Sequence, residues 1–258
     1  MQVGICVPAE KVGEVLDAQP DFIEEHIQNF LKPAEPEGAF AENLARAKAL
    51  PVPVPAANCF LPASMKCVGP DVNVEALARY AEVAFRRARA VGMERLVFGS
   101  GGARKIPDGF PREQAKAQFV ALLKRLGPLA AKHQVTIVVE PLNKAECNFI
   151  NTLAEGAELV RAAAHPNVWL LADIFHMLRD GEPAGEIARF GNLLRHVHLA
   201  EKEKRTAPGV MGDDFRPFFA ALKQAGYDGR MAIECGWADR PKQSVVAVRT
   251  VREQWAEA

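Results

Sequence analysis

VTIVVEPLN, residues 135–143, opens with apolar and β-branched residues and closes on a carboxylate, Glu140, before a proline. An unbroken apolar run of this length reads as a strand buried on both faces, as in a parallel sheet. The pattern recurs downstream. VWLLAD (168–173) ends on Asp173, LLRHVHL (193–199) carries His196 and His198 near its tip, and RMAIE (230–234) ends on Glu234. Upstream lie QVGICV (2–7), DFIEEHI (21–27), VPVPAANCF (52–60) and RLVFG (95–99). Helical spacing fills the intervals at 72–91, 111–132, 152–164, 182–190, 212–225 and 241–257, with shorter stretches at 10–17 and 39–48. Strands alternating with helices predict a parallel sheet. Eight such units in 258 residues predict an α/β fold, a (β/α)8 TIM barrel forming one domain over residues 1–258. A doubly wound sheet would usually carry a Gly-rich turn after the first strand, and Gly4-Ile5-Cys6-Val7-Pro8 is not one.

Local signals agree with this layout. Thr152 is a good N-cap, and Glu155 three residues on completes a capping box. Gly226 sits where a C′ glycine ends a helix, and Tyr227-Asp228-Gly229 turns the chain into the last strand. Pro241 suits the first turn of the final helix. Pro51, Pro53 and Pro55 lack amide donors, so the third strand is expected to be irregular or to start late.

Composition bounds the function. Lys plus Arg and Asp plus Glu are both 32, so the formal net charge is zero, which argues against nucleic acid or an anionic membrane as partner. No apolar run approaches the ~18 residues that span a bilayer. The start, MQVGICVPAEKVG, lacks the basic and apolar regions of a secretory leader, so a cytoplasmic location is expected. Cys6, Cys59, Cys67, Cys147 and Cys235 are odd in number and form no CxxC, which disfavours disulfides and a thiolate zinc site.

The strand tips carry the chemistry. In a barrel the C-terminal tips converge on one mouth. Glu140, Asp173, His198 and Glu234 would therefore share a cleft. Three carboxylates crowded together repel and lose solvation, and a divalent cation relieves both penalties. Three oxygen donors and one imidazole suit Mn²⁺, Mg²⁺ or Co²⁺, and accommodate Zn²⁺. Each residue also has a plainer reading: Glu140 as a loop carboxylate, Asp173 as a helix N-cap, Glu234 as a strand-end charge. His196 lies two residues before His198 on the same strand face. His198 is nearer the tip and is the expected ligand; His196 is expected in the core.

VVEPLNKAECNFINT (138–152), LLADIFHM (170–177), HVHLAE (196–201) and MAIECGW (231–237) resemble the xylose isomerase-like barrel superfamily. The likeness is to its small sugar isomerase and epimerase branch, which includes ketose 3-epimerases and hydroxypyruvate isomerases. NCFLP (58–62) and VFGSGGARKIPDGF (97–110) resemble the same branch. The resemblance implies one divalent metal ion held by Glu140, Asp173, His198 and Glu234, with Glu140 and Glu234 as the catalytic acid/base pair. The substrate would be a small-molecule sugar or keto-sugar, deprotonated next to its carbonyl. Glu146 and His176 match the family's substrate-binding positions. The family's substrate-binding arginine falls at Lys204 by direct count and at Arg205 if one residue is inserted before Pro208; Arg205 is favoured. Arg104 either binds substrate or pins its own loop. Ile174 departs from the small polar residue that many relatives carry. Barrels of this type often form dimers or tetramers.

Other classes remain to be separated. A lyase or dehydratase on the same scaffold, of inosose, 3-dehydroshikimate or 3-keto-sugar type, would share the proton abstraction and then expel a leaving group. A DNA-repair endonuclease would need histidines on the early strands for a trinuclear zinc site, and 52–67 and 95–110 contain none. A metal-free binding barrel would leave the converging carboxylates unpaired.

Overall fold

A computed structural model describes residues 1–258. Eight parallel strands close into a barrel in sequence order. They are β1 (Gln2–Cys6), β2 (Phe22–His26), β3 (Ala56–Asn58), β4 (Arg95–Phe98), β5 (Thr136–Val139), β6 (Val168–Asp173), β7 (Leu194–Leu199) and β8 (Arg230–Ile233). The helices are α1 (Ala41–Ala49), α2 (Val74–Ala90), α3 (Gly101–Arg104), α4 (Arg112–Lys132), α5 (Leu153–Ala163), α6 (Ile174–Asp180), α7 (Gly185–Phe190), α8 (Arg216–Gln224) and α9 (Arg240–Glu257). No helix is long and apolar enough to cross a membrane.

Local chemistry explains where these elements begin and end. Thr152 Oγ1 accepts the Glu155 amide at 3.1 Å, capping α5, and Glu155 reaches back to the Asn151 amide at 2.6 Å. Gly226 takes the left-handed conformation, φ 70°, after α8. Pro217 lies in the first turn of α8 and Pro241 in that of α9. The third strand is shorter than the apolar run 52–60. Pro51, Pro53 and Pro55 have no amide donors, but the Pro53 carbonyl accepts from Ile23 and the Pro55 carbonyl from Glu94 and Arg95, so the ladder continues one-sidedly.

Two expected helical stretches are modified and one helix is added. Residues 10–17 form 3₁₀ turns, Ala9–Glu14 and Leu16–Ala18. The stretch 182–190 contracts to α7, and an extra helix, α6, starts directly on the tip of β6. Asp173 causes that early start, because its Oδ1 accepts the Phe175 amide at 2.8 Å and caps α6.

The main core is one large apolar layer between barrel and helices. The barrel interior is separate. Val97, Val138 and Leu171 pack there, buried, over the edge of Trp169. In β6 and β7, Leu171 is in register with His196 and Asp173 with His198, so each pair shares the inward face. The interior thus passes from an apolar floor to a polar mouth.

Candidate metal centre and active site

Four strand tips deliver four donor groups to the barrel mouth. Glu140 follows β5, Asp173 ends β6, His198 lies in β7 and Glu234 follows β8. One ligand atom from each lies within 4.8 Å of the others. His198 Nδ1 is 3.1 Å from Glu234 Oε2 and 3.3 Å from Glu140 Oε1. Glu140 Oε1 and His198 Nδ1 are buried without a well-formed hydrogen bond. Orphaned buried donors and acceptors are rare unless something else satisfies them. Three carboxylates and an imidazole, with free lone pairs turned to one point, fit a divalent cation.

Charge within the cluster is unevenly shared. Burial raises the Glu140 carboxyl, and the neighbouring Glu234 and Asp173 add to the rise while His198 opposes it. Burial likewise raises Asp173, against the pull of Arg205 and His198. Burial pushes Glu234 up too, but His198 and Arg205 overcome it and hold that carboxyl well below its ordinary range. For His198, burial opposes the charged form, yet Glu24 and Glu234 raise it well above the ordinary imidazole value.

Arg205 enters the mouth from the loop after β7. Its Nη2 donates to Glu234 Oε2 at 2.6 Å and approaches Asp173 Oδ2 at 3.5 Å, and its guanidinium lies 4.6 Å from the Phe175 ring centroid. Lys204 points to solvent. Lys204 and Arg205 both adopt positive φ, 55° and 52°, with Lys204 exposed and Arg205 in the cavity wall. His176 Nδ1 accepts the Asn143 amide at 3.2 Å, so the neutral ring carries its hydrogen on Nε2, which faces Asp173 and the cleft. Burial lowers the His176 pKa and favours that neutral form. Glu146 Oε1 accepts from Asn143 Nδ2 at 2.9 Å and lies 3.9 Å from Arg205.

These groups line a cavity of about 280 Å³ with His26, Gln28, Asn58 and Ser100. Glu140, Glu146, His176, Arg205 and Glu234 are all in its wall. Arg104 is not. It is fully buried and donates to the Phe98 and Ile150 carbonyls at 3.0 and 3.4 Å. Of the two readings of Arg104, its placement matches the loop-pinning one: it lies outside the cavity wall and ties down the loop after β4. A Cβ on Gly99, at the head of that loop, would collide with Glu140 Oε2, so a side chain there would displace the carboxylate.

Three polar residues were not anticipated from sequence. Asn58 donates to Glu234 Oε1 at 2.8 Å, and Asn143 orients both His176 and Glu146. Glu24, buried in β2, reaches His196 and His198. The available signal for Glu24 was its position: a carboxylate two residues after Phe22 in a strand that should be buried on both faces.

A family model described as xylose isomerase-like TIM barrel matches residues 15–254. An L-ribulose 3-epimerase of Methylomonas sp. is 35% identical over 131 residues, 50% of this chain and 45% of that protein. A putative hydroxypyruvate isomerase of Mus musculus is 29% identical over 184 residues, 67% of this chain and 64% of that one. The matched segments thus span about half to two thirds of those relatives' lengths. Among solved structures, D-psicose 3-epimerase with D-tagatose from Clostridium cellulolyticum H10 superposes with a TM-score of 0.86, covering 99% of each chain at 19% identity. That likeness is one of fold.

Proposed function

Because the chain belongs to the xylose isomerase-like TIM-barrel family, we propose that it is a divalent-metal-dependent sugar isomerase or epimerase acting on a ketose or small keto-sugar. The convergence of Glu140, Asp173, His198 and Glu234 beside a polar cavity lined by Glu140, Glu234, Arg205 and His176 carries this reading. The names of the curated relatives, an epimerase and a putative isomerase, support the reaction class.

Glu140, Asp173, His198 and Glu234 would hold Mn²⁺, Mg²⁺, Co²⁺ or Zn²⁺. Such an ion, when bound, stabilises negative charge developing on the substrate's oxygen atoms. The chain's own groups do the rest. One of Glu140 and Glu234 takes the proton from the carbon next to the carbonyl, and the other returns one. Return to the same carbon from the opposite face inverts it. Return to the neighbouring carbon exchanges aldose and ketose. His176 Nε2–H and the Arg205 guanidinium donate to substrate oxygens and fix the reacting carbon between the two carboxylates. Asn58 and Arg205 hold Glu234 in place from its two oxygens.

The test is NMR of a ketose and keto-acid panel with enzyme and Mn²⁺ in D₂O, with an EDTA control. Metal-dependent deuterium uptake next to a carbonyl is expected, and its position distinguishes 3-epimerisation from 1,2-isomerisation. Loss of a β-hydroxyl with no exchange product would replace the proposal with a dehydratase.

A further inference from the structure

Glu24 is not among the four converging ligands, yet it lies fully within the protein beneath them. Its Oε2 is 2.6 Å from His196 Nε2 and its Oε1 is 2.9 Å from His198 Nε2. The contact crosses the barrel interior, from β2 to β7, past the intervening β1 and β8. The two imidazoles meet nearly edge to face, with centroids 5.1 Å apart and planes at 76°. A carboxylate only accepts hydrogen bonds, so both Nε2 atoms must carry hydrogens. The atom of His198 left to bind a cation is then Nδ1, and it is Nδ1 that faces Glu140 and Glu234.

We propose that Glu24 is a positioning residue: it holds the His198 ring by Nε2–H, with His196 as its second anchor, and so presets Nδ1 toward the metal centre. The proposal rests on the four-residue metal centre argued above. Partners of metal-ligating histidines commonly act this way, fixing tautomer and ring orientation. Glu24 is not itself read as a ligand. Cys6, Glu24 and His198 also come within 4.8 Å of one another, but both Glu24 oxygens already accept imidazole N–H groups, and burial keeps the Cys6 thiol protonated. His196 gives the arrangement its rigidity. A carboxylate bound at one oxygen can swing, whereas one bound at both across the barrel cannot.

Glu24→Gln tests this. The amide presents one acceptor and one donor, so it cannot receive both Nε2–H groups. In ¹H–¹⁵N spectra of the metal-free protein, two slowly exchanging imidazole Nε2–H signals are expected, from His196 and His198. Glu24→Gln should lose at least one of them. By titration calorimetry or Mn²⁺ electron resonance, its dissociation constant should rise about 10–100-fold. Both ring signals unchanged, with Mn²⁺ affinity within about twofold of wild type, would overturn the proposal. Should Glu24→Gln not fold, Glu24→Asp takes its place. It keeps the charge but withdraws it by one methylene. An unweakened Mn²⁺ affinity and unshifted ring signals there would equally overturn the role. If the wild type binds no Mn²⁺ yet its ring signals vanish in Glu24→Gln, the ring-holding role stands and the metal reading falls.

Discussion

At the scale of single residues, the mouth separates groups that share a strand and a chemistry. His196 and His198 both face inward from β7. His196 is fully buried against Phe22, with ring centroids 6.3 Å apart, and burial lowers its pKa and keeps it neutral. His198 borders the cavity's carboxylates. Glu140→Gln and Glu234→Gln keep the shape and remove the base, so turnover should fall by roughly 10³-fold or more in each. His196→Asn should be far milder, within about 30-fold. Steady-state kinetics on whichever substrate exchanges deuterium decides this, and equal losses in all three variants would remove His196 from the core role. Asp173 shows why single-residue readings need not exclude one another. One oxygen caps α6 while the other faces Arg205 and the cleft. The N-cap and the ligand readings both describe it.

At the scale of elements, the loop from 202 to 213 depends on one buried carboxylate. Glu201 accepts the amides of Gly209, Met211 and Gly212 at 2.9, 2.5 and 2.9 Å, and the Thr206 hydroxyl at 2.9 Å. The Gly236 amide, beyond β8, donates to the Arg205 carbonyl at 2.8 Å. The loop is therefore gathered from below and tied at its side, with Arg205 turned inward and Lys204 outward. Arg205→Ala should raise KM by about tenfold or more, while Lys204→Ala should leave KM within about twofold. The reverse ranking would shift the functional register by one residue. The strand tip after β4 works by a different device. Gly99 yields space to Glu140, and Arg104 folds back beneath it to bind carbonyls, so that tip shapes the cavity without placing a cation in it.

For the whole molecule, buried carboxyls set the response to pH. Burial raises Glu25 from the ordinary 4.5 to about 7, although the Ala9 and His26 amides donate to it. A carboxyl that titrates higher folded than unfolded binds a proton on folding. Its stabilising contribution is complete below about 4.5 and is lost as pH rises through 7, on the order of 3 kcal/mol for Glu25. Glu182 is raised to about 7 in the same way, and Glu140 and Asp173 are raised too. Glu24 acts oppositely: its two histidines hold it down to about 2 against burial, so its contribution is lost as pH falls below about 4.5. The urea midpoint of EDTA-treated protein should therefore peak near pH 5 and decline toward pH 8. Glu25→Gln should flatten the decline. Saturating Mn²⁺ should raise the midpoint most at pH 8, where the cluster would otherwise hold most charge. A midpoint that climbs from pH 5 to 8 without metal would contradict this assignment.

Much was legible in the sequence because strand burial and strand ends are local properties. A parallel barrel buries both faces of each strand, so its strands read as largely apolar runs, and polar residues gather where the run reaches the mouth. The strand-end positions of Glu140, Asp173, His198 and Glu234 follow from that pattern, and the ends at Thr152 and Gly226 from local helix-capping signals. Direction and partnership were not local. Arg104 is buried at the end of the short α3, its guanidinium on the Phe98 and Ile150 carbonyls, and the residue types in 97–110 do not say whether an arginine there faces the cavity or the loop. Which of Lys204 and Arg205 faces the cleft was not readable from residue type, since both take left-handed φ. Glu24 has partners 172 and 174 residues away, across a barrel whose closure brings β2 and β7 face to face. The order of residues along the chain determined which side chains stand at the mouth. Only barrel closure decided which of them touch, because a hydrogen bond across the interior depends on two distant strands meeting in one register.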